Sequence, residues 1–229
     1  MCGRYATYSS ADEIAAAFHV AVADIRPRYN VAPSQEVGAV LPDAAGTGRA
    51  WAWLRWGLVP GWAKEPSIGH SLINARAETV RDKPAFRSAF RRRRCLIPAS
   101  GFFEWSAHGQ GKKKQPYYFS LADGKPFAFA GLWEHWQGDG EDIRSCTIVT
   151  TESNDVVRPV HHRMPVILPA EAYDRWLDPT LTDPDAVLPL LQPYAAAAMH
   201  AVPVSTRVNR PSFDDPACIE PQHTPPTLF

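Results

Sequence analysis

The sequence predicts an α+β fold, a single β-rich domain of largely antiparallel sheets with a few flanking helices. Three observations support this. Apolar residues gather in short runs rich in β-branched and aromatic side chains, mostly closed by Gly, Pro, Asp or Asn, which is the pattern of strands and turns. Helical patterns are few and do not alternate with the strands, which argues against a parallel βαβ array. The chain has 229 residues, 45% of them hydrophobic and 21% charged, with no linker, repeat or low-complexity segment, and that length suits one sizeable core.

In chain order, residues 10–20 read as a short amphipathic helix. Ser10 can cap it, Asp12 and Glu13 suit its first turn, and Ile14, Phe18 and the alanines form its apolar face. Strands are expected at 36–41, 50–56, 94–98, 101–105, 116–121, 126–133, 143–150 and 165–168. Helices are expected at 83–91 and 170–177, and at 183–191 with an interruption at Pro189. The domain is expected to span 2–221, and residues 222–229, with two adjacent prolines, read as a loose tail.

No run of about eighteen apolar residues is present, and the N-terminus lacks a secretory signal pattern, so a cytoplasmic location is expected. Cys2, Cys95, Cys146 and Cys218 lie far apart without CxxC spacing, which argues against a disulfide framework and a zinc knuckle. Cys95 and Cys146 sit in apolar runs as core thiols. Formal net charge is zero, yet 76–94 carries eight basic residues against Glu78 and Asp82, and Lys112, Lys113 and Lys114 form a second cluster. A local basic face can hold a phosphate backbone in a neutral protein, although such runs are usually solvated surface.

The chemistry begins with MCGRYA at 1–6. Once Met1 is removed, Cys2 carries a thiol and an α-amine on adjacent carbons. Asn74 in LINARAET, Glu104 in GFFEW and His161 in VHHRMPVIL are polar groups among apolar residues, where each costs free energy unless it is partnered or used. Alternation in GFFEW places Phe103 and Trp105 on one face, and Phe102 and Glu104 on the other. A carboxyl in such an enclosure has a raised pKa suited to acid/base work near neutrality. Taken singly, each of these residues also has a plain structural reading.

Met-Cys-Gly is shared with class II glutamine amidotransferases, whose N-terminal cysteine attacks an amide. The continuation differs from them. RYNVAP at 28–33, WGLVPGWA at 56–63, INARAET at 73–79, RCLIPASGFFEW at 94–105, KQPYYF at 114–119, AGLWE at 130–134, TIVTT at 147–151 and HHRMPVIL at 161–168 resemble, block by block and in order, the SRAP family of abasic-site processing proteins (SOS response-associated peptidases). That resemblance implies a basic DNA-binding cleft. It also implies that Cys2, freed of Met1, captures the ring-opened aldehyde of an abasic site in single-stranded DNA as a thiazolidine crosslink, which shields the lesion. A lyase side reaction through the imine and a self-processing peptidase release of Met1 accompany it. The required amine is available, because an α-amino group has a pKa of about 7.7–8.0 and is partly neutral at pH 7.

The same resemblance carries Glu104 over as the proton shuttle, His161 as the donor to the sugar ring oxygen, and Asn74 as the residue that positions the sugar and Cys2. It places Arg4, Arg76 and Arg163 on phosphates, Trp62 as a stacking or wedging residue, and Asn30 and Thr150 as polar contacts. Ala63 stands where many relatives have a second aromatic residue. The 91–94 arginine run is either a backbone track or a solvated helix end. No cofactor or metal is implied. The expected partner is single-stranded DNA with abasic sites, including junctions with duplex, bound by a monomer without a membrane. Three alternatives have their own markers: an N-terminal cysteine amidohydrolase would release ammonia from glutamine, and a non-catalytic DNA reader would tolerate Cys2→Ala. A zinc deaminase would need a second cysteine near PACIE at 216–220, where none is present.

Overall fold

The computed structural model describes residues 2–22, 25–45, 48–106, 114–138 and 140–222. In order, it contains β1 (Tyr5–Thr7), α1 (Ala11–Phe18), β2 (Arg28–Val31), β3 (Glu36–Pro42), β4 (Arg49–Trp56), β5 (Asn74–Arg76), α2 (Arg87–Arg92), β6 (Arg94–Ala99) and β7 (Gly101–Ser106). There follow β8 (Gln115–Leu121), β9 (Phe127–Gly138), β10 (Glu141–Glu152), β11 (Arg163–Pro165), β12 (Ile167–Leu168), α3 (Tyr173–Leu177) and β13 (Met199–Pro203).

Two sheets result. The smaller is antiparallel with strand order β13-β8-β7-β1-β2. In the larger, β10-β4-β3-β6-β9 closes on itself through the β9–β10 pairing, giving a barrel-like ring to which β5, β11 and β12 add. Among the described residues, the pairings are antiparallel except those of β10 with β4 and β5. Closure leaves few bare strand edges.

Alternation decides which side chains fill the ring. In β4, Ala52, Leu54 and Trp56 join Val37, Ala39, Ile97, Phe129, Cys146 and Ile148 in one buried cluster, which also takes in Cys2 and Tyr5. The opposite face of the ring, including Val40, Leu96, Ala130 and Leu132, packs with Ile14 and Phe18 of α1, Phe90 of α2 and Trp176 of α3. Each large side chain so buried contributes about 1.5–3 kcal/mol.

The predicted 10–20 helix is α1 with a capping box: Ser10 Oγ accepts from Glu13 N–H at 3.2 Å, and Glu13 Oε2 accepts from Ser10 N–H at 2.8 Å. It stops at Phe18 because His19 turns left-handed at φ 49. The 83–91 helix starts only at Arg87, without a capping side chain. At 183–191, Pro184 and Pro189 each remove a donor, and two 3-10 turns replace a helix. The 126–133 and 143–150 strands extend into a long hairpin, Phe127–Gly138 with Glu141–Glu152. Gln222 N–H still bonds to Pro203 O at 2.8 Å; the rest of the expected tail, along with Met1, Lys112 and Lys113, lies outside the described residues. No helix among those residues is long and apolar enough to cross a membrane.

Candidate active site

The ladder joining β1 to β7 continues past Tyr5, since Phe103 N–H donates to Arg4 O at 3.0 Å. That continuation brings the N-terminal segment alongside Glu104. Cys2 is fully buried, and its Sγ lies 3.9 Å from Arg4 O. Asn74, at the start of β5 where that strand runs parallel to β10, donates from Nδ2 to Cys2 O at 2.8 Å. Asn74 Oδ1 is buried without a hydrogen-bond partner among the described residues. Such an acceptor is costly unless something else meets it.

Glu104 is 3% exposed. The split predicted from GFFEW is present: Phe102 stacks on Phe119 at 5.0 Å on the Glu104 side, while Phe103 and Trp105 join a separate cluster around Tyr118 and Val208. Burial raises Glu104 to about 7. Burial first, and then the nearby Glu104 carboxylate, push the Cys2 thiol well above its ordinary range, so it is held as the neutral S–H.

His161 Nδ1 lies 4.0 Å from Glu104 Oε1. The ring ends a turn that Asn154 caps, with Asn154 Oδ1 accepting from Val157 N–H at 3.1 Å and His161 N–H bonding to Val157 O at 2.9 Å. Nδ1 meets Arg163 N–H at 3.0 Å and Arg163 O at 3.1 Å, a backbone cradle able to serve either tautomer. Burial lowers its pKa, so the imidazole is neutral at pH 7. His162 stacks on it with centroids 4.5 Å apart.

Cys2, Asn74, Glu104 and His161 therefore converge from four separate stretches of chain. The expected DNA contacts divide. Asn30 is fully buried; its Oδ1 accepts from Arg4 Nη1 at 2.8 Å, and its Nδ2 donates to Val208 O, Arg210 O and Phe213 O. Arg4 also donates to Val208 O at 2.7 Å. Thr150 is fully buried and Arg163 is 7% exposed. The Arg163 guanidinium grips Glu78 with two bonds, at 2.7 and 3.0 Å, and donates to Thr150 O at 2.6 Å. Partial burial alone would raise Glu78, but these bonds hold it below its ordinary value.

By contrast Arg76 is exposed, and Trp62 is 60% exposed. The Trp62 turn is fixed from behind, where Trp136 Nε1 donates to Ala63 O at 2.7 Å. Gly57 at φ +128 lets the incoming chain pass Gly69, whose carbonyl oxygen would lie 2.6 Å from any Cβ. The arginine run also divides: Arg94 is buried, bonded to the carbonyls of Phe90, Arg91, Trp176 and Asp178, Arg93 pairs with Glu134, and Arg91 and Arg92 are exposed.

Two organising acids escaped the sequence reading. Asp214 pairs with Arg28 and accepts from Tyr29 N–H and Asn30 N–H, 184 residues from Asn30 and with no local signal to announce it. Glu78 had one, as an acid within a basic stretch. Among the described residues, no group of three His, Cys, Asp or Glu side chains could hold a metal ion.

A family profile described as SOS response associated peptidase (SRAP) matches residues 1–211. The abasic site processing protein YoqW of Bacillus subtilis is 44% identical over 225 residues, covering 96% of this chain and 99% of that protein. The abasic site processing protein HMCES of Gallus gallus is 33% identical, covering 86% of this chain and 66% of that one. Among solved structures, a Bacteroides thetaiotaomicron protein superposes with TM-score 0.86 at 26% identity, covering 97% of this chain and all of that one. A phage-related protein of Bordetella bronchiseptica gives 0.71 at 31% identity, covering 90% and 95%.

Proposed function

This chain belongs to the SRAP family, and on that premise we propose that it processes abasic sites, capturing them in single-stranded DNA as a covalent thiazolidine on Cys2. The observation that carries this reading is the convergence on the N-terminal segment of Asn74, bonded to Cys2 O at 2.8 Å, and of Glu104 and His161, 4.0 Å apart.

Removal of Met1 exposes the α-amine of Cys2, with Glu104 as the base for that release. The neutral amine then adds to the sugar aldehyde, and the carbinolamine loses water to give an imine. The thiol adds across the C=N bond: sulfur bonds to the former aldehyde carbon, and the thiol proton ends on nitrogen. Aldehyde and aminothiol thus become a thiazolidine plus one water. A thiol kept protonated by burial suits this order, because the amine reacts first and ring closure needs only proton transfer through a neighbouring group.

Glu104, with a pKa near 7, is half-protonated at neutrality and can both give and take that proton. Neutral His161 donates a hydrogen bond to the sugar ring oxygen during opening. The unmet Asn74 Oδ1 takes a hydroxyl of the opened sugar while its Nδ2 fixes Cys2. If β-elimination outruns ring closure at the imine, strand cleavage results, which accounts for a lyase side reaction.

Arg76, which is exposed, is assigned to the strand around the lesion, joined by Arg4 and by Arg163 once phosphate displaces Glu78 from it, and Trp62 to a base or to a junction with duplex. Asn30 and Thr150, buried, act on DNA through Arg4 and Arg163. The protein works as a monomer, and the crosslink shields the lesion during the DNA damage response. The test is incubation with an abasic oligonucleotide followed by a denaturing gel. A shifted band that survives denaturation and disappears in Cys2→Ala supports the reading, while an unshifted wild-type protein refutes it.

A further inference from the structure

We propose that the cavity between the β3–β4 ladder and residues 25–28 binds a nucleobase. It measures about 350 Å³, within the range of small-molecule sites. Its lining includes none of Cys2, Asn74, Glu104 and His161, so the site stands apart from the crosslinking reaction and goes beyond that reading.

Trp51 and Trp53 form one wall, edge to face, with ring centroids 5.8 Å apart and planes at 89°. Both project from β4 opposite to Ala52 and Leu54. Gly38 pairs with Trp53 in the ladder, and a Cβ on it would stand 2.0 Å from the Trp51 ring. Glycine there lets that indole lie against the β3 backbone and still border the cavity. Trp53 is 46% exposed, leaving a large aromatic face for a planar ligand.

Hydrogen bonding narrows the class. Glu36 adds a carboxylate acceptor and Arg26 an exposed guanidinium at the rim, whereas Arg28 is already paired with Asp214. An apolar ligand would desolvate Glu36 without meeting it. A flat heterocycle stacked on Trp53 with an exocyclic amine for Glu36 satisfies that acceptor, and Arg26 can face its phosphate. This chemistry is offered by a free nucleotide and by an unstacked base of a DNA strand.

The test is calorimetry and saturation-transfer NMR on the wild-type protein with each of the four deoxynucleoside 5′-monophosphates. A base-free tetrahydrofuran phosphate is the control. The expected result is binding of at least one nucleotide with saturation of its base protons. Affinity should fall about fivefold or more in Trp53→Ala and in Glu36→Ala, which removes the carboxylate acceptor. Displacement of the nucleotide by an intact oligonucleotide identifies a strand base as the natural occupant, and lack of displacement identifies a free nucleotide. Capture of an abasic oligonucleotide by the wild-type protein is measured alongside and separates failure of this site from failure of the Cys2 reaction. The proposal is overturned if no nucleotide binds, if the base-free phosphate binds equally well, or if neither substitution weakens binding.

Discussion

Replacing Glu104 by Gln keeps the side chain's volume and removes its titration, so the pair of proteins isolates what the buried charge costs. A carboxyl held near 7 rather than its ordinary 4.5 binds its proton more tightly in the folded state than in the unfolded one. Its contribution to stability is complete below pH 4.5 and is lost as pH rises through 7. At about 1.4 kcal/mol per pH decade, the wild-type protein should lose about 2–3 kcal/mol relative to Glu104→Gln between pH 5 and pH 8.5. In a domain of this size that is a relative melting shift of about 5–10 °C. Urea unfolding of both proteins at the two pH values measures it, and the double difference cancels any fixed cost of the amide. Parallel pH profiles would show that Glu104 titrates as an ordinary carboxylate, and the acid/base role built on its burial would fail. The same variant should crosslink at least a hundredfold more slowly, the usual scale for a lost proton-transfer group.

Three further substitutions probe the surroundings. Asn74→Ala removes the bond to Cys2 O and should slow crosslinking about tenfold or more while equilibrium binding of undamaged single strand, followed by fluorescence anisotropy, stays unchanged. Asn30→Ala empties a fully buried site that serves Arg4 and three carbonyls; urea unfolding should record a loss of about 2–4 kcal/mol. Arg76→Ala should weaken single-strand binding and lower the slope of log affinity against log salt by about 0.7, read from anisotropy titrations at several salt concentrations.

Much of this was legible in the sequence, and the reasons are local. Alternation in GFFEW announced which face Glu104 occupies, and the Ser10 and Glu13 pair announced α1. The short strands β1, β2, β5 and β13 were missed because their assignment rests on partners far away in the chain rather than on their own three to five residues. Closure of the ring was likewise unreadable, since β9 pairs with β6 along one stretch and with β10 along another. Around the site, residue types named the chemistry, but partner identity decided which arginines remain open. Nothing in the local sequence distinguishes Arg163, held by Glu78, from Arg76, which faces solvent.

Intact mass spectrometry of the protein after incubation with an abasic oligonucleotide, without reductant, tests the central claim most directly. The account predicts a species equal to the protein lacking Met1 plus the oligonucleotide less one water, stable to denaturation and absent in Cys2→Ala. No added mass, or an adduct that appears only after borohydride reduction and persists in Cys2→Ala, would contradict it.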